Sequence, residues 1–212
     1  MIVPEIDIAR VAEAQQRFIK AIEQLTDEQV RRASLLPGWT VGHVLTHVAR
    51  NADSHVRRAD AAVRGEVLDQ YEGGYAGRKA DIEAGSLRST QALVDDVRRS
   101  ARAVDETWHG LPLEAWTGRS RDTSGMERPL FELPSRRWQE VEVHLVDLDV
   151  GISHRDWPDE FVSEWLPRTR ERMWRQMAAD AVNVEFDLPA DELAWFYGRL
   201  ARDDLSKPPP WS

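Results

Sequence analysis

"WTVGHVLTHVARNADSH", residues 39–55, places His43 and His47 one helical turn apart, with a third histidine at His55. Val41, Val44, Leu45, Val48 and Ala52 recur at three/four spacing, which predicts an amphipathic helix from about Thr40 to Gly65. At about 100° per residue the apolar stripe fixes the direction of the core. His43, His47, Asn51 and Ser54 then line up on a separate polar face. Such a face beside a buried stripe needs either solvent or a partner helix that carries matching polar groups.

Working outward, three further long helices fit the same period. Residues 5 to 25 carry Ile8, Val11, Phe18, Ile22 and Leu25, and Thr26 caps a short helical piece after them. "LLPGW" separates that piece from the histidine helix. "DQYEGGYAGR" reads as a loop, and residues 77 to 109 as helix, interrupted near Gly85, with Leu93, Val94, Val97, Ala101 and Val104 inward. Residues 110 to 133 are too rich in turn formers for a helix and have room for a short extended pair around Trp116 and Leu130. A fourth long helix is expected over 134 to 149, opened by Pro134. Four amphipathic helices with a long connection predict a mainly α fold, a four-helix bundle with a long crossover.

After "GISHRDWP" the pattern changes. "PDEFVSEWLPRTRERMWRQMA" is helical, with Pro167 expected to kink it or mark a boundary. "VNVEFDLP" alternates like a strand, and "ADELAWFYGRLARDD" reads as a last helix. We therefore expect a bundle over 1–152 and a small C-terminal α/β segment over 153–212.

Composition narrows the function. A net charge of −9 disfavours nucleic acid as a partner, because phosphate neutralisation needs a basic surface. No stretch reaches the roughly 18 apolar residues of a membrane span, and the N-terminus turns acidic and helical at once, so a cytoplasmic protein without a signal peptide is expected. The chain has no cysteine. Disulfides, thiolate metal sites and a cysteine nucleophile are thereby excluded, and any thiol chemistry needs a thiol from outside.

A candidate partner for the histidine face is in "RRWQEVEVHLVDLDV", residues 136–150. Trp138, Val141, Leu145 and Leu148 form its apolar stripe, with Glu140 and His144 together along one edge and Asp147 beside them. A carboxylate and an imidazole at i, i+4 can hold one metal ion, and a histidine from a facing helix would complete a His₂Glu set with an open fourth position. The same spacing also arises in solvated helix pairs, so the residues alone leave both readings standing. His55, His109 and His154 share no face with a candidate partner, and no phosphate loop or nucleophile elbow is present.

On "LPGWTVGHVLTHVARNA", "RRWQEVEVHLVDL" and "WFYGRLARDD" followed by "PPPW", the chain resembles the mycothiol-dependent maleylpyruvate isomerase family of the DinB-like metal-binding bundles. The resemblance implies zinc on His47, Glu140 and His144, a functional arginine at Arg199, and His43 lining the pocket. It implies mycothiol as the low-molecular-weight thiol and a small-molecule substrate, in a monomer or weak homodimer. The implied reaction adds a thiolate reversibly to the double bond of maleylpyruvate, which then rotates and expels the thiolate as fumarylpyruvate forms. A mycothiol S-transferase and a non-enzymatic metal-binding or regulatory bundle are the alternatives. The C-terminal segment, 153–212, is expected to be a shortened form of the family's C-terminal α/β part.

Overall fold

The computed structural model describes residues 3–174, 185–205 and 207–208. The chain forms two compact units, Met1–Leu148 and Asp149–Ser212. The first contains α1 (Glu5–Ile22), α2 (Asp27–Arg31), α3 (Val41–Val63), α4 (Gly74–Ser86), α5 (Thr90–Gly110) and α6 (Leu133–Asp147). Helix α1 packs on α5 and α6, and α3 packs on the same two, so these four close into the expected bundle. Its core is built from Val11, Phe18 and Ile22 of α1, Val44, Leu45 and Val48 of α3, Leu93, Val97 and Trp108 of α5, and Trp138, Val141 and Leu145 of α6.

Local chemistry sets where the helices start. Thr26 and Thr40 each cap with a reciprocal side-chain box, and Ser89 accepts from the Ala92 N–H. The box at Thr40 uses His43 in the third helical position, where Glu or Gln is usual. The interruption expected near Gly85 falls at residues 87–89, between the end of α4 and the cap at Ser89. The segment read as a loop is also shorter, because α4 already begins at Gly74, following Gly73 at φ 68°.

The long crossover between α5 and α6 holds the two-stranded antiparallel ladder of β1 (Arg119–Arg121) and β2 (Glu127–Pro129). Within the bundle, fully buried Arg137 ties three helices together. It donates to the Val48 carbonyl and Asn51 Oδ1 on α3, both at 2.8 Å, and to Gln15 Oε1 on α1 at 3.2 Å.

Helix α4 lies against the N-terminal half of α3 at glycine contacts. A Cβ on Gly42 would stand 2.4 Å from the Ser86 carbonyl oxygen and 3.3 Å from that of Val30. Backbone cannot yield as a flexible side chain can. Gly42→Ala is therefore expected to destabilise the protein by about 1–3 kcal/mol, despite the higher helix propensity of alanine. Chemical denaturation checks this; unchanged stability would mean that α4 can move away without cost.

The second unit contains α7 (Asp159–Trp174) and α8 (Pro189–Phe196), which pack on each other. Pro167 lies inside α7 and does not divide it, so it marks no boundary. Asp191 of α8 is buried and takes two bonds from Arg155 and one from His154, fastening the preceding turn to this helix. Residues 182–184 of the expected strand "VNVEFDLP" lie outside the described residues, and residues 185–188 are not strand. The last helix also ends earlier than its apolar pattern predicts. Gly198, at φ 71°, donates to the Trp195 carbonyl, and the Arg199 N–H reaches the Ala194 carbonyl. That pair of bonds is a glycine-terminated helix end, so Arg199 lies just beyond α8.

Candidate metal centre

The polar faces of α3 and α6 meet inside the bundle. His47 Nε2 lies 3.2 Å from Glu140 Oε2 and 3.0 Å from His144 Nε2, and the last two atoms are 3.3 Å apart. Among the described residues this is the one group of His and acidic side chains whose ligand atoms converge in this way. Helix geometry explains it: Glu140 and His144 project over one turn of α6, and α3 brings the third ligand from across the interface. His47 and His144 are buried, whereas Glu140 is 24% exposed on its side chain.

Three donor atoms on a near-equilateral triangle test directly whether a metal fits. For a tetrahedral ion with ligand distances of about 2.0–2.1 Å, neighbouring ligand atoms stand about 3.3 Å apart. The observed edges of 3.0, 3.2 and 3.3 Å match that spacing closely. The donor set of two imidazoles and one carboxylate is that of catalytic rather than structural zinc. His144 Nδ1 bonds Asp147 Oδ2 at 2.7 Å, which fixes its proton on Nδ1 and leaves Nε2 to ligate. In the sequence Asp147 stands beside the pair without an evident role. The i, i+3 spacing from His144 was the available signal.

Electrostatics divide the two imidazoles. Burial pulls His47 down to about 4, against the upward pull of Glu140, so this ring is neutral at pH 7. Burial acts the same way on His144, but Asp147 and Glu140 outweigh it and its pKa is raised. Burial would raise the Glu140 carboxyl; the two imidazoles instead hold it well below the usual range. Arg58 and Arg137, buried on the same inner faces, are both drawn down by burial to about 10 and remain cationic at neutral pH. Glu140 is among the charges acting on both.

Other candidates separate. His43 caps α3, its Nδ1 2.7 Å from Thr40 Oγ1, and its Nε2 faces Glu83 at 3.4 Å. His55 is buried edge-on against Trp108, with centroids 5.5 Å apart. His109 bonds the Asp105 carbonyl on its own helix. Glu142 faces away from the triad, accepting from Arg17 and Trp138. Arg199 belongs to the second unit, where its guanidinium donates to the Tyr197 carbonyl. Two residues near the triad escaped the sequence reading because they lie in or beside the supposed loop. Arg78 reaches to 3.3 Å from His47 Nδ1, and Tyr71 is buried close to Asn51 and Arg78. No periodic signal marks either position.

Asp147→Asn tests the supporting bond. An amide can still accept from Nδ1–H, but it lacks the charge that raises ligand basicity. Metal affinity is expected to fall about 10–100-fold with the fold intact. Chelator competition measures it, and unchanged affinity would remove Asp147 from the account.

The profile of the mycothiol maleylpyruvate isomerase N-terminal domain matches residues 11–149 of this chain. Among solved structures, the chain is similar to the mycothiol-dependent maleylpyruvate isomerase at 21% identity, covering 99% of this chain and 98% of the other, with a TM-score of 0.87. It is also similar to a histidine-to-alanine mutant of that isomerase at 20% identity, with the same coverage and TM-score. Those two likenesses establish the fold. No curated protein sequence matches.

Proposed function

Because the chain belongs to the mycothiol maleylpyruvate isomerase family, a family of enzymes, we propose that it converts maleylpyruvate to fumarylpyruvate with mycothiol and a zinc ion. His47, Glu140 and His144 hold that ion. The observation that carries the reading is the triangle of ligand atoms with edges of 3.0–3.3 Å, drawn from two helices of the matched domain. When bound there, zinc supplies Lewis acidity strong enough to keep a thiol ionised.

The remaining work falls to this chain's own residues. Asp147 keeps the His144 proton on Nδ1 and so keeps Nε2 available. Glu140 contributes a charge that offsets the metal, and its partial exposure leaves one side of the triad open to a small molecule. Val44, Val48 and Val141 are buried on the apolar stripes beside the polar faces, and such low-polarity surroundings strengthen charge interactions. Maleylpyruvate is an anion, and the cationic guanidinium of Arg199 is proposed to hold a carboxylate or the developing enolate. The thiol is brought in from solution, since the chain has no cysteine of its own. The enzyme is proposed to act in the cytoplasm as a monomer or weak homodimer.

Thiol accounting tests this reading against S-transfer. With mycothiol present at one hundredth of the substrate concentration, an isomerase converts all the maleylpyruvate and leaves the thiol unchanged. A transferase stops after one equivalent and accumulates a thioether. Stoichiometric consumption of mycothiol would overturn the isomerase reading.

A further inference from the structure

Arg78, on α4, places a guanidinium nitrogen 3.3 Å from His47 Nδ1. The same guanidinium lies over the rings of Trp39 and Tyr71, 5.7 Å and 5.6 Å from their centroids. A guanidinium carries donors only. The nitrogen facing it must therefore accept, and a neutral imidazole that accepts at Nδ1 carries its proton on Nε2. That proton points into the triangle, where Glu140 Oε2 and His144 Nε2 can both receive it. The network is self-consistent: Arg78 donates to His47, His47 donates inward, and His144 donates outward to Asp147.

A metal on His47 requires the opposite arrangement. The Nε2 lone pair must be free, so the ring proton moves to Nδ1. An Nδ1–H cannot face a guanidinium at hydrogen-bond distance, because two donors would then confront each other. His144 has no such conflict, since its outer partner Asp147 is an acceptor. The two histidines of the triad are thus supported by outer partners of opposite kind.

We infer that Arg78 is a positioning residue that holds His47 in its non-ligating tautomer, and that metal uptake requires it to leave Nδ1. Its packing over Trp39 and Tyr71 gives it somewhere to remain, a short displacement away, once that bond is gone. The inference rests on the metal reading of the triad, and it makes Arg78 and the metal alternative partners of one imidazole.

The test is chelator competition on the zinc-loaded full-length chain, comparing wild type with Arg78→Gln, Arg78→Leu and Arg78→Lys. Glutamine offers a carbonyl that can accept from Nδ1–H, leucine offers neither donor nor acceptor, and lysine is again donor-only. Arg78→Gln should bind zinc about 10–100-fold more tightly than wild type. Arg78→Leu should gain less, and Arg78→Lys should stay near wild type. Lys79→Gln, which removes a charge one residue along, should leave affinity unchanged. Equal affinity in Arg78→Gln and wild type overturns the inference. So does equal tightening by glutamine and leucine, which would reduce the effect to loss of a charge. Failure of wild type to retain zinc removes the premise, a result distinct from either. Imidazole nitrogen spectra of the wild-type chain give an answer that needs no variant: the His47 proton should lie on Nε2 without metal and on Nδ1 with it. Finding it on Nδ1 in both states also overturns the inference.

Discussion

His144→Ala is expected to lose the metal and the activity together, with a fall in turnover on the order of a thousandfold or more, because a metal supplies several kcal/mol of transition-state stabilisation. His47→Ala should do the same, since each ring contributes one corner of the same triangle. The fold should survive either change: the ligands lie on polar faces, and the apolar stripes that close the bundle are separate from them. His55→Ala provides the contrast. That ring is buried against Trp108 rather than facing the triad, so its loss should cost stability, on the order of 2 kcal/mol, while the metal stays. Metal analysis, turnover and denaturation on the three variants separate these outcomes. Full occupancy in His144→Ala would remove the triad as the site. Metal affinity should also depend on pH with a definite sign. The raised pKa of His144 means that a proton competes for Nε2 from above the ordinary value of 6.5. Affinity is then complete on the alkaline side and is lost as the pH falls through that range.

Arg199→Ala is expected to keep its metal and lose on the order of a hundredfold in rate, comparable to removal of one donor from an oxyanion site. The physical ground is charge: an anionic substrate gains most from a fixed cation as negative charge develops, so kcat should fall more than metal retention or KM suggests. The site of the change is mild. Arg199 follows the glycine that ends α8, and its backbone N–H, which closes the helix end on the Ala194 carbonyl, is unaffected by the substitution. Arg202 is unsuitable as a silent control, because it stacks on Phe186 at 5.0 Å and bonds both Asp204 and the Glu185 carbonyl. Arg102, exposed on α5 and paired with Glu106 among the described residues, is the better one. Wild-type kinetics in Arg199→Ala would return the second unit to a structural role and leave the substrate's carboxylates to arginines of the bundle.

Much of the bundle was legible because helical phase is a strong signal where apolar residues recur without interruption. The stripes of α1, α3, α5 and α6 are buried as their spacing predicts, except for Leu25, which lies past the end of α1 and is half-buried. Phase set His43 and His47 on one polar face and Glu140 and His144 along another but left open whether the two meet; it was the family resemblance that singled out His47. What phase could not supply was the direction of individual hydrogen bonds. The capping of α3 by His43 depends on Thr40 three residues earlier, a local competition that a face diagram ignores. Arg78 was missed because α4 has a weakly amphipathic sequence opened by glycines, which reads as a loop, and Tyr71 because it stands just before those glycines. The early end of α8 has a similar origin. Gly198 stops the helix through backbone conformation alone, whereas the apolar pattern around it continues.

The central claim is that a metal on His47, Glu140 and His144 is what makes an external thiol catalytic. The most direct measurement is the rate of fumarylpyruvate formation at saturating mycothiol as zinc is titrated into the metal-stripped full-length chain. The account predicts a rate that rises in proportion to occupancy and levels off at one zinc per chain, with no turnover when the thiol is left out. A metal-stripped chain that isomerises maleylpyruvate at the full rate would contradict it.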